Sequence, residues 1–169
     1  VVVLFDKETL APYCLADAGQ ITAIRTACAS AMATDLLARR ESSILTILGT
    51  GEQAHHHALA ISKIRWLDEI RIWGRTPDKA RALANAIQSE TRIPTTAEEH
   101  VENAARDADI ICTVTGAFDP ILTADMVAPG THLNIVGSSF DGPREIDDAL
   151  VSGARFFADS KPSVAAQGS

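Results

Sequence analysis

The chain has 169 residues, 46% of them hydrophobic, which suits one sizeable core but is short for separate cofactor and substrate domains. A formal charge of −7 with no basic run or basic–aromatic cluster argues against a nucleic-acid partner. The three cysteines, Cys14, Cys28 and Cys112, are far apart and set among apolar residues, so neither a disulfide framework nor a thiolate metal site is expected and a cytoplasmic setting fits.

The first residues, Val1, Val2 and Val3, follow no Met and no basic lead, so the chain reads as cut from something longer rather than as a signal peptide. No apolar stretch approaches the roughly 20 residues of a membrane-spanning helix. Residues 1–5 and 10–15 read as two β segments around a polar turn, with Pro12 demoting the second to an edge. Residues 21–39, rich in Ala, Leu and Met and free of Gly and Pro, suit a largely buried helix. A β-branched run at 44–48 then stops at Gly49, Thr50 and Gly51, and the Ala-rich stretch 54–64 follows as a helix.

The alternation continues with a strand at 69–73, helices at 78–88 and 96–105, and strands at 109–114 and 132–136. A short helix at 147–152, a strand at 155–158 and a polar tail complete the reading. Strands alternating with helices imply an α/β fold, a doubly wound parallel sheet of the Rossmann type with helices on both faces.

The sequence Gly49-Thr50-Gly51-Glu52-Gln53-Ala54 has the form G-x-G-x-x-A, placed after an expected strand and before an expected helix. In a dinucleotide fingerprint the first glycine permits the tight turn, the second admits the pyrophosphate and the small third residue allows close helix–strand packing. The helix N-terminus then favours an anion through its free N–H groups and dipole. An acidic residue at the end of the next strand would hold a ribose 2′-hydroxyl. Here that strand ends Trp73-Gly74-Arg75-Thr76, offering a guanidinium and a hydroxyl to a 2′-phosphate instead. NADP(H) is therefore favoured, with NAD(H) possible; the alternative is that Arg75 stacks on the adenine or faces solvent.

The run Ile21-Thr22-Ala23-Ile24-Arg25-Thr26-Ala27, followed a strand later by residues 49–53, resembles the ornithine cyclodeaminase/mu-crystallin family. The resemblance extends over residues 70–77, 108–115 and 129–137 and so covers essentially the whole chain. It implies a domain plan in which residues 1–20 belong to a mostly absent substrate and dimerisation domain, 21–40 form a connecting helix, 41–160 bind the nucleotide and 161–169 lead to a missing C-terminal segment.

The resemblance also implies roles. Arg25 would bind a substrate carboxylate, the alternative being a pairing with an acidic neighbour on its helix. Glu52 and Gln53 would meet the pyrophosphate through their backbone, while Thr115, Val136, Gly137 and Ser138 would border the ribose and nicotinamide. In cyclodeaminases of this family a catalytic Asp lies two residues past the last glycine, where this chain has Ser139, within Gly137-Ser138-Ser139-Phe140-Asp141-Gly142-Pro143-Arg144-Glu145. A hydroxyl cannot replace a carboxylate base. The ketimine reductase branch, with Ser there and Arg-Glu a few residues on, is the nearer resemblance. It implies NAD(P)H-dependent reduction of a small ketimine such as pyrroline-2-carboxylate or piperideine-2-carboxylate, with Ser139 orienting the substrate nitrogen or a water, in a homodimer. The alternatives are cyclodeamination or hydroxyproline dehydration with bound NAD, an alanine-dehydrogenase-like activity, and non-catalytic NADPH binding.

Other signals are weaker. His55, His56 and His57 point about 100° apart on a helix and cannot converge on one metal ion. His132 reads as a satisfied core or edge histidine of a strand and Cys112 as a small buried hydrophobe, Glu98 and Glu99 as solvated charge, and Asp147 as a helix N-cap.

Overall fold

The computed structural model describes residues 1–138 and 142–167. It opens with an antiparallel hairpin, β1 (Val2–Phe5) and β2 (Pro12–Ala16), which forms a two-stranded sheet of its own. Its turn is held by the Asp6 carboxylate, which accepts from the backbone N–H groups of Glu8 and Thr9 and the Thr9 hydroxyl. The register slips between Leu4 and Phe5, opposite Pro12, whose ring nitrogen has no hydrogen to donate to the ladder.

Helix α1 (Gly19–Leu37) leads into a five-stranded parallel sheet built from β3 (Ile44–Leu48), β4 (Glu69–Trp73), β5 (Thr95–Glu98), β6 (Ile110–Thr113) and β7 (His132–Ile135). The order across the sheet is β5-β4-β3-β6-β7, every pair parallel. Helices α2 (Glu52–Ser62) and α3 (Pro77–Thr91) join α1 on one face, where Ala54, Ala58, Ile61, Ala84 and Ile87 pack on Leu45, Ile47, Ile70, Ile72, Ile110 and Cys112. Helices α4 (Val101–Ala105) and α5 (Asp148–Gly153) cover the other face, with Ala104, Ala105 and Leu150 packed around Ile111. Successive strand residues point to opposite faces. Ile110 and Cys112 therefore serve one core while Ile111 between them serves the other, which is why both faces of these strands are apolar.

Four expectations are corrected. Helix α1 is not largely buried: only the side carrying Ala23, Ala27, Ser30, Ala31 and Thr34 packs against α2 and β7, and Ile21, Ile24, Met32 and Leu36 are exposed. The stretch 96–105 is not one helix: Thr95–Glu98 pairs with β4, and only Val101–Ala105 is helical. Consecutive threonines at 95 and 96 favour the pleated surface that β4 offers. Residues 155–158 form no strand, because an extended run becomes one only beside a ladder partner and this one has none among the described residues. The expected polar tail contains helix α6 (Lys161–Gln167). Asp147 caps α5 as expected, its carboxylate accepting from the Leu150 N–H at 2.9 Å.

Candidate functional site

The chain order runs outward from β3 to β4 and β5, then returns across β3 to β6 and β7. The reversal leaves a crevice at the carboxyl ends of β3 and β6, where open sheets of this kind bind ligands. The glycine turn lies there. Gly49 donates its N–H to the Trp73 carbonyl at 2.8 Å, fastening the turn to the end of β4. It has φ of 140°, and a Cβ at this position would lie 2.8 Å from both Cγ2 and the carbonyl oxygen of Val114. Only glycine meets both demands.

Gly51, the N-cap of α2, has φ of −89° and open space where a Cβ would stand, with nothing within 4 Å. No side chain caps α2. The N–H groups of Glu52 and Gln53 lack intrahelical acceptors and lie at the positive end of the helix dipole, whereas those of Ala54 and His55 already donate to the Gly51 carbonyl. The Gln53 Oε1 atom is buried without a hydrogen-bond partner among the described residues. Thr50 packs on the end of β4 so closely that a Cβ on Gly74 would come within 2.4 Å of its Cγ2.

Arg75 and Thr76 follow directly. Both are exposed, and neither side chain has a hydrogen bond or ion pair among the described residues; Thr76 precedes α3 without capping it through its hydroxyl. The turn itself carries no carboxylate. Glu98, expected on a helix, instead ends β5 in register with Trp73.

Helix α1 is tied to α2 by two polar links. Gln20 donates to the Glu52 carboxylate at 3.0 Å, and the buried His57 ring meets the Ser30 hydroxyl at 3.0 Å. The other His57 nitrogen, Nδ1, lies 2.7 Å from the Gln53 carbonyl and must carry the hydrogen, leaving Nε2 of the neutral ring to accept from Ser30. Burial holds the His57 imidazole below its usual pKa, with the Gln53 carbonyl opposing and His56 adding to the shift. Arg25 lies about 7.5 Å along the axis from Gln20. It is exposed and has no acidic partner among the described residues.

At the far side of the crevice Thr115, Val136, Gly137 and Ser138 are half-buried and adjoin one another: the Val136 N–H donates to the Thr113 carbonyl at 3.0 Å, and a Cβ on Gly137 would fall 2.0 Å from the Thr115 carbonyl oxygen. The residue that gathers them, Glu145, was given no role by the sequence reading. Its carboxylate accepts from Thr113, Thr115 and Gly137. A hint was present: Thr113 and Thr115, two apart at the end of an apolar strand, bring hydroxyls that need acceptors. Ser139, the expected catalytic residue, lies outside the described residues.

The remaining candidates stand elsewhere. His55 meets Glu90 at 2.8 Å while His57 turns inward, so the three histidines diverge, and no group of His, Cys, Asp or Glu among the described residues is placed to hold a metal ion. His132, on β7, is paired with Ile110 at the opposite end of the strands; burial lowers its pKa, and its buried Nε2 has no partner among the described residues. Cys112 is buried in β6, and burial pushes its thiol up to about 12, against a hydrogen bond from Asn134. Among the described residues no helix is long and apolar enough to cross a membrane.

A parallel sheet of this order, with a glycine turn and an uncapped helix start beside its switch point, defines a Rossmann-type dinucleotide-binding fold. The sequence matches the model of the ornithine cyclodeaminase/mu-crystallin family over residues 1–169, and the chain belongs to that family. It is 39% identical over 160 residues to the ketimine reductase mu-crystallin of Mus musculus, covering 95% of this chain and 50% of that protein. The structure of Thermococcus litoralis Delta(1)-pyrroline-2-carboxylate reductase in complex with NADH and L-proline superposes with a TM-score of 0.93 at 32% identity, covering 98% of this chain and 51% of that one. A lysine cyclodeaminase structure gives a TM-score of 0.85 at 30% identity, covering 98% and 48%. The chain thus spans about half the length of the relatives it matches.

Proposed function

We propose that the chain is the cofactor-binding part of an NAD(P)H-dependent reductase acting on a small ketimine carboxylate, of the pyrroline-2-carboxylate or piperideine-2-carboxylate kind. The observation that carries this reading is Arg25, an exposed cation with no hydrogen-bond or ion-pair partner among the described residues, on the helix whose first turn is bonded to the first turn of α2. A planar guanidinium there suits bidentate capture of a carboxylate. The residues fit a dinucleotide: the N–H groups at the uncapped start of α2 would receive the pyrophosphate, and the space over Gly51 would admit it. Arg75 and Thr76, with no carboxylate in their turn, favour a 2′-phosphate and hence NADP(H). Thr115 and residues 136–138 would border the nicotinamide end. When bound, the cofactor supplies hydride to the imine carbon. Arg25 holds the substrate by its carboxylate so that this carbon meets the nicotinamide face, which is catalysis by positioning. Ser139 would orient the substrate nitrogen or a water, and the hairpin would belong to a substrate and dimerisation domain of a homodimer.

The similarity to a lysine cyclodeaminase supports a second reading, a redox-neutral use of bound NAD. Following absorbance at 340 nm with NADPH and Delta(1)-pyrroline-2-carboxylate separates the two. Net NADPH oxidation, lost in Arg25→Ala through a rise in KM, is the expected result. Turnover of a diamino acid without net change in cofactor would overturn it.

A further inference from the structure

Glu145 is fully buried, and its carboxylate uses both oxygens twice. Oε2 accepts from the Thr113 hydroxyl and the Gly137 N–H, each at 2.7 Å; Oε1 accepts from the Thr115 N–H at 2.6 Å and the Thr115 hydroxyl at 2.8 Å. No lysine or arginine is among these partners. The adjacent Arg144 pairs instead with Asp148 on the surface. The Glu145 backbone adds to the knot: its N–H donates to the Ser138 hydroxyl at 3.2 Å, and its carbonyl accepts from Ile121 and Leu122.

An acid buried without a cation is costly unless directional donors replace its water. An apolar side chain would fill the same volume, but it could not specify where two turns sit. Here the donors belong to the end of β6 with the turn that follows it and to the turn after β7, which approach so closely that a Cβ on Gly137 would lie 2.5 Å from Oε1. We propose that Glu145 is a positioning residue for the nicotinamide half of the cofactor, setting the spacing between the Thr115 turn and the Gly137–Ser138 turn. This rests on the reading of the cleft given above. Because the adenosine end is assigned to Arg75 and Thr76 after β4, two strands from β6 and three from β7 in the sheet order, disturbing Glu145 should weaken one half of the ligand and spare the other.

Glu145→Gln is the sharper variant. Either amide orientation sets an NH2 group against a backbone N–H, that of Gly137 or of Thr115, and neither can turn away. Thr113→Val, which removes one buried donor and touches no assigned ligand contact, is the milder one. Each would be titrated with NADPH and with adenosine 2′,5′-bisphosphate, which contains only the adenosine end, after circular dichroism confirms folding. Glu145→Gln should bind NADPH about tenfold more weakly, and Thr113→Val about threefold, with bisphosphate affinity unchanged in both. Equal losses for both ligands, or no loss of NADPH affinity in a folded variant, would overturn the positioning role while leaving the cofactor reading intact. If Glu145→Gln does not fold, Thr113→Val decides on the same terms. A wild-type chain that binds neither ligand would sink the cofactor reading, and this proposal with it.

Discussion

The two glycines of the turn should fail in different ways when each is replaced by alanine. At Gly49 the backbone has φ of 140° and the new methyl would meet Val114 at 2.8 Å. A backbone held in such a region costs about 1–3 kcal/mol, and overpacking against a neighbour about as much again. The expected loss is about 3 kcal/mol, or roughly 6–12 °C in Tm for a domain of this size. At Gly51 the φ of −89° suits alanine and the methyl would meet nothing within 4 Å. The entropy gained by losing a glycine, about 0.4–1 kcal/mol, is offset by a slightly poorer N-cap. Its Tm should stay within about 2 °C of wild type. That methyl nevertheless occupies the space assigned to the pyrophosphate, so NADPH affinity should fall at least about tenfold. Thermal melts by circular dichroism and calorimetric titration with NADPH measure both effects. Gly51→Ala melting as low as Gly49→Ala, or binding NADPH as wild type does, would refute the division of labour between the two positions.

Stability should fall on acidification below about pH 6.5, because the unfolded chain takes up protons at His57 and His132 that the folded chain, with both imidazoles held below their usual pKa by burial, refuses. A flat Tm between pH 7.5 and 5.5 would contradict this. Cys112 should resist thiol reagents in the folded chain while the exposed Cys28 reacts, since burial both shields Cys112 and pushes its thiol up to about 12; mass spectrometry after limited alkylation counts the labels. Asp109→Ala should cost about 2–3 kcal/mol in urea denaturation, because its carboxylate accepts from the Ser43 and Ile44 N–H groups and from Arg39, joining the start of β3 to that of β6. A loss under 0.5 kcal/mol would show the cluster to be ordinary surface charge. Arg75→Ser should reduce NADPH affinity while leaving NADH affinity unchanged, and parallel losses in a two-ligand titration would make Arg75 a general adenosine contact.

What could be read along the chain was what local physics decides. The strand Ile44–Leu48, its glycine turn and the Ala-rich helix after it announce themselves within about 20 residues, because β-branched packing, conformational freedom and helix propensity all act at short range. Thr95–Glu98 was harder. Four residues with two threonines suit a strand no better than a helix start until β4 lies alongside, and that partner is over 20 positions away in the chain. The stretch 155–158 shows the converse, a strand-like composition with no neighbour among the described residues to pair with.

The site divides along the same line. The tight turn at Gly49 and the open side of Gly51 could be anticipated, because backbone freedom is a property of the residue itself. Glu145 could not, although its identity was in plain view, because an acidic residue between Arg144 and Ile146 is ordinarily a surface charge. Its place in the interior depends on donors 32, 30 and 8 positions away, brought to one point only when β6 and β7 pair in register. The carboxylate in turn requires those donors, since a buried acid facing apolar side chains would destabilise the sheet it now fastens. The close approach of Gly137 to Thr115 belongs to the same arrangement: any larger residue at 137 would force the strand ends apart and pull the donors out of reach. Glycine, threonine pair and glutamate thus act as one unit, and replacements among them should be non-additive where replacements at Gly49 and Asp109, which share no partners, should simply sum.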